Sequence, residues 1–151
     1  MEPNAKNDIK HSNTDQTASL SLTILSSPVD AETGCTGYSI FTEQFLSLED
    51  YNGLFITPRI GAQNFRHRFS KVNYFSDWHV AGDATLIIIR SGTLRVGLRN
   101  GESRDFCAGQ MFVAKDRLQE GESFNDQVHG HTAAVVGDQD LTAVHIKLFE
   151  Q

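Results

Sequence analysis

Four of the six histidines lie beyond residue 75, at His79, His129, His131 and His145. Imidazole is the side chain best matched to proton transfer near neutral pH, and it is a frequent metal ligand. His129 and His131 are two residues apart, so on a strand both rings face the same way and could share one first-row divalent ion. With a loop ending between them, only one faces inward. His79 follows Asp77-Trp78 and reads as a metal ligand or acid/base group, or as a structural ring beside the indole. His145 sits between Val144 and Ile146, sharing a face with Ala143 and Lys147. That position fits a cavity wall or cross-strand packing. His67 has the same ambiguity, because Phe65 and Phe69 share its face.

Other side chains could complete a pocket. The guanidinium forks of Arg66, Arg68, Arg95 and Arg99 suit a ligand carboxylate. Ordinary burial preferences instead place these arginines on a solvated outer face. Trp78, Phe75 and Phe112 could wall a pocket or fill a core. Cys107 reads as a pocket-lining residue or an inert small core residue. The acidic run with Asp116, Glu120, Glu122 and Asp126 reads as a lid or as solvated surface.

The elements that must position these groups are strands. Leu20, Leu22 and Ile24 alternate with Ser21 and Thr23, a period of two. Residues 38–53 fit a short helix through Ile40, Phe41, Phe45 and Leu48, or a strand. Residues 54–56, 64–69 and 72–80 follow as short strands. Leu86 to Ile89 is a continuous apolar run, as in a strand buried on both faces. Leu94, Val96 and Leu98 alternate with polar neighbours, and Asn100-Gly101 signals a hairpin. Residues 111–114, 132–136 and 141–149 complete the set, with a long polar loop over 115–130. Short strands between Gly-rich turns predict an all-β sandwich or barrel.

Composition narrows the classes. The chain has 151 residues, 13 Lys plus Arg against 19 Asp plus Glu, and a net charge of -6. That balance argues against nucleic acid as a partner. No apolar run is long enough to span a membrane. Two cysteines without CxxC spacing do not make a disulfide framework, which suits a reduced, cytoplasmic protein. Residues 1–18 carry almost no aliphatic bulk and read as a disordered polar tail, leaving 19–151 as a single domain. There is no Gly-x-Ser-x-Gly elbow and no phosphate loop.

The order Tyr74-Phe75-Ser76-Asp77-Trp78-His79, Arg90-Ser91-Gly92-Thr93-Leu94, Asn100-Gly101, Ala108-Gly109-Gln110, Lys115-Asp116 and Gly130-His131-Thr132 resembles small single-domain bacterial cupins. The resemblance is best over 64–149. It implies a double-stranded β-helix, a jelly-roll barrel. It also implies a metal centre with His79 and His131 as ligands and catalytic groups, helped by His129 or His145. The family's usual second His and Glu positions hold Ala81 and Thr85 here, and Lys115 and Arg117 stand where a Pro and a Gly are customary.

Together these features predict a small-molecule-binding cupin. The first expectation is an atypical metal-dependent oxygenase, lyase or isomerase using iron, zinc, nickel or manganese. Its substrate would be small and polar or carboxylate-bearing, in a pocket including Trp78, Phe112, Arg66 and His67. The alternative is a metal-free binding or sensor module. A homodimer is expected in either case.

Overall fold

In the computed structural model, residues 19–150 are described, and the expected tail over 1–18 lies outside them. The described strands are β1 (Ser19–Ser26), β2 (Ile40–Ser47), β3 (Glu49–Tyr51), β4 (Leu54–Ile56), β5 (Ala62–Ser70), β6 (Phe75–His79), β7 (Thr85–Ser91), β8 (Thr93–Gly97), β9 (Ser103–Cys107), β10 (Met111–Ala114), β11 (His131–Val136) and β12 (Leu141–Leu148). The described residues contain no helix, so none is long and apolar enough to cross a membrane.

The helical option for 38–53 is not taken. β2 pairs with β1 along its whole length, from Ser26↔Ile40 to Ser19↔Ser47. That ladder satisfies backbone groups β1 would otherwise leave open at a sheet edge. The Asn100-Gly101 turn is also longer than a two-residue hairpin. Of this pair only Gly101 has positive φ, at 87°. Its N–H donates to the Leu98 carbonyl, and the Asn100 side chain accepts from the Glu102 N–H. This is a tight turn followed by a left-handed glycine, which adds a residue to the connection.

Strand pairing is nested. β8 pairs with β9, β7 with β10, β6 with β11 and β5 with β12, all antiparallel. The chain is thus a long hairpin wound back and forth across two sheets. The larger of these has the order β2-β1-β10-β7-β12-β5 and the smaller β6-β11-β8-β9, while β3 and β4 form a separate two-stranded sheet. The one parallel pair among them is β1 with β10. The main core lies between the sheets. Leu25, Ile87, Ile89, Phe112 and Leu141 from the larger sheet meet Leu94, Val96, Phe106 and Val135 from the smaller. Phe106 and Phe112 stack across the interface with ring centroids 4.2 Å apart. The expected barrel is therefore a two-sheet sandwich. The chain changes sheet at turns such as Ser91-Gly92-Thr93, which interrupts the hydrogen-bonded ladder instead of closing it.

One glycine decides where β11 lies. Gly130 has φ of 86°, and a Cβ there would sit 2.5 Å from the His79 carbonyl oxygen. Only a residue without Cβ permits both the left-handed backbone and this approach. The approach brings His131 directly opposite His79 in the β11·β6 ladder, just before a register shift. Gly130→Ala combines left-handed strain with overpacking, and is expected to cost about 2–4 kcal/mol. Urea denaturation should show it, with Gly121→Ala as the control: Gly121 also has positive φ but open space around it. Equal losses in the two variants would show that the close approach is unimportant.

Candidate functional site

A cavity of about 280 Å³ opens between the sheets, near the small end of the range for ligand pockets. Its apolar lining includes Ile87, Leu94, Val96 and Phe112. Its polar lining is Asn64, Arg66, Arg68, His79, Thr85, His131, His145 and Lys147. The two halves of this polar set come from opposite sheets.

On the smaller sheet, His79 and His131 present paired rings with centroids 4.4 Å apart. His79 Nδ1 lies 2.6 Å from the Asp77 carbonyl. A carbonyl only accepts, so this nitrogen carries a proton, and in the neutral ring Nε2 keeps its lone pair. His131 Nδ1 lies 2.7 Å from Asp116 Oδ2, which orients that ring in the same sense. Asp116 is fully buried. It also accepts from the Ser39 hydroxyl at 2.7 Å and the Ala81 N–H at 2.9 Å. Three donors offset the desolvation of one buried carboxylate.

On the larger sheet, β5 and β12 present Arg66, Arg68, His145 and Lys147. Here the usual polarity is reversed. Phe65 and Phe69 are more than 60% exposed, while Arg66 and Arg68 alternate with them and line the cavity. The outer face expected for these two arginines is therefore incorrect, although Arg66 stays exposed at the cavity mouth. Register gives the reason: Arg66 pairs with His145 and Arg68 with Ala143, a core residue, so their face is the inner one. Arg68 is half-buried, and its Nε donates to Ser70 Oγ at 3.0 Å. Burial lowers its guanidinium from the ordinary arginine range, with Tyr74 opposing the shift. Among the described residues neither Arg66 nor Arg68 has a carboxylate partner, whereas Lys147 pairs with Asp83 at 2.9 Å. His145 Nε2 is buried without a hydrogen-bond partner. Burial holds its ring below the ordinary histidine range, and the charges of Arg68 and Arg66 add to the effect.

The remaining sequence candidates lie elsewhere. His129 is buried in the 115–130 loop with both nitrogens occupied. Its Nδ1 accepts from the Asn125 N–H, and its Nε2 lies near the Thr36 carbonyl and Glu122. His67 is on the outer face of β5, edge-on to Phe65. Trp78 is on the opposite face of β6 from His79, with the Arg99 guanidinium 3.7 Å from its ring centroid. Arg99 also donates to the His129 carbonyl, and Arg95 pairs with Asp105 on the surface. The acidic loop is pinned: Glu122 accepts from the Thr36 hydroxyl at 2.7 Å. Cys107 is exposed. Sequence reasoning read Asp116 as part of a lid or of a solvated surface, whereas it is a buried anchor behind the cavity, and it gave no cavity role to Asn64 or Lys147. The available signal for Asp116 was its place in Lys115-Asp116, one of the matching segments.

The donor set does not fit a resident divalent metal. Among the described residues, no group of three or more His, Cys, Asp or Glu is placed to hold one. Three imidazoles line the cavity, but His145 lies across it from His79 and His131, beside two guanidinium groups without a carboxylate partner that would repel a cation.

No protein-family model matches the chain, and no curated protein matches it. Similar solved structures include a conserved protein of unknown function from Streptococcus pyogenes, with 10% identity, a TM-score of 0.43, and coverage of 91% of this chain and 79% of that one. Another is a protein from Neisseria meningitidis, with 17% identity, a TM-score of 0.41, and coverage of 68% and 89%. A third is a cupin-2 domain containing protein from Shewanella frigidimarina NCIMB 400, with 20% identity, a TM-score of 0.40, and coverage of 62% and 80%.

Asp116→Ala leaves His131, Ser39 and the Ala81 N–H without their acceptor, and is expected to cost about 3–5 kcal/mol. Arg95→Ala breaks an exposed pair and should cost under about 1 kcal/mol. Comparing the two by urea denaturation checks this, and similar losses would contradict the central place given to Asp116.

Proposed function

We propose that this chain is a cupin-like protein whose inter-sheet cavity binds a small carboxylate-bearing molecule without a resident metal. Nested strand pairing and the segments that resemble cupins support the cupin reading. The observation that carries the ligand class is the pairing of Arg66 and Arg68 at the cavity with no carboxylate among the lining residues. A ligand carboxylate supplies the missing charge, and its apolar part rests against Phe112, Ile87 and Val96. Arg66 stands at the exposed mouth and Arg68 deeper, so an acid entering carboxylate-first meets both forks. The outward Phe65 and Phe69 suit a homodimer contact, which sedimentation of the full chain would test.

Calorimetric titration with malonate, oxalate and acetate tests the cavity. At least one acid should bind, and Arg68→Ala should weaken it about 10–100-fold, the loss expected for a charge-assisted contact of 1.5–3 kcal/mol. Failure of every acid to bind, or full affinity in the variant, would overturn the ligand class.

Binding should also depend on pH through His145. Arg66 and Arg68 from β5 and Lys147 on its own strand face this ring, with His79 and His131 across the cavity. In the free protein the ring is kept neutral to lower pH than usual. A bound anion offsets the surrounding positive charge and favours the imidazolium. Binding therefore takes up protons, and affinity should rise as pH falls below the ordinary histidine range, by at most tenfold per pH unit. His145→Gln should flatten this slope. An unchanged slope in the variant would assign the proton uptake to another group.

A further inference from the structure

The carboxylate reading above leaves the imidazole pair without a task, and its geometry supplies one. We propose that His131, oriented by Asp116, moves a proton to and from the carbon next to a carbonyl in a bound 2-oxo acid, so that the protein catalyses enolisation of that class of acid. The inference rests on the carboxylate reading of the cavity.

Three observations converge. His131 lines the cavity, and its Nδ1 is committed to the buried Asp116. The nitrogen left for a ligand is Nε2, a base whose tautomer and direction are fixed before any ligand arrives. This is the arrangement that proton abstraction requires: a base held by a third group. Second, His79 stands beside it with its own Nε2 free, because Nδ1 is held by the Asp77 carbonyl. Third, Arg66 and Arg68 reach the same cavity from the opposite sheet. A simple carboxylate has no C–H acidic enough for imidazole to ionise. A 2-oxo acid has one, and the resulting enolate oxygen carries the negative charge that guanidinium groups stabilise.

The step balances without an oxidant or a co-reactant. The C–H bond at the carbon next to the carbonyl breaks, and its proton goes to His131 Nε2. The electron pair moves into the carbon–carbon bond and onto the carbonyl oxygen. The imidazolium then returns a proton to the same carbon, or passes it by way of the free Nε2 of His79 to the enolate oxygen. When the imidazolium exchanges with solvent before return, the carbon acquires solvent hydrogen.

The test is proton NMR of 2-oxobutyrate and 2-oxoglutarate in D2O with the full-length protein, alongside calorimetric binding of the same acids and of oxalate, which has no C–H bond. Deuterium should enter next to the carbonyl at least about 100-fold faster than in buffer, the lower range for acid–base catalysis. His131→Gln should bind the acid within a few-fold of the original protein and lose the acceleration. Asp116 is a positioning residue: Asp116→Asn should lower kcat for exchange and leave KM within a few-fold, whereas a purely structural role would change both or unfold the protein. Uptake at the buffer rate, or equal uptake in His131→Gln, would overturn the proposal. If oxalate binds while neither oxo acid exchanges, the proton-transfer inference falls and the carboxylate pocket stands. If no acid binds, both fall.

Discussion

A single buried carboxylate organises the functional end of this molecule. Asp116 has no exposed surface, and it joins Ser39, Ala81 and His131, the first of these 77 residues away in sequence. A carboxylate out of water is tolerated only where donors replace its hydration. Those donors come from three separate segments, so the segments meet in one arrangement. The backbone adds to this: the Asp116 carbonyl accepts from the Gly82 N–H. The result fixes the end of β6 against the loop after β10 and the start of β11, where His79 and His131 face each other.

The close approach of Gly130 to His79 completes this constraint from the other side. Asp116 sets the direction of the His131 ring, and Gly130 sets the distance between strands. Neither works alone, because an oriented ring on a displaced strand would not face its partner. Stability and site geometry therefore depend on the same contacts.

The second organising feature is the reversed polarity of β5. The protein carries a net charge of -6, yet its cavity gathers cationic groups from β5 and β12 while Phe65 and Phe69 face outward. Burying Arg68 beside His145 is unfavourable in an empty cavity, as the lowered proton affinities of both groups express. The proposed carboxylate ligand would offset that charge. The same opposition of charge makes the cavity a poor host for a divalent ion, despite its three imidazoles.

Much of the strand framework was legible in the residues. Period-two alternation at 20–24 and 94–98, the apolar run at 86–89, and the turn glycines mark strands because side-chain direction and local backbone freedom are local properties. His79, His131 and Phe112 were also visible as inward candidates. The face of β5 was not. Alternation of Phe with Arg says only that the two sets face opposite ways, and the register against β12 decides which set is inside. Residues 38–53 were open for the same reason: the free edge of β1 selects a strand over a helix. His129 and His131 looked equivalent by spacing, but the loop ends between them, so one ring stays in the loop and the other enters the cavity. Sequence by itself determined the strands, the turns and the types of chemical group present. Tertiary structure alone decided which groups face one another, because burial of Asp116, the Gly130 approach and the β5 register all depend on segments distant in the chain.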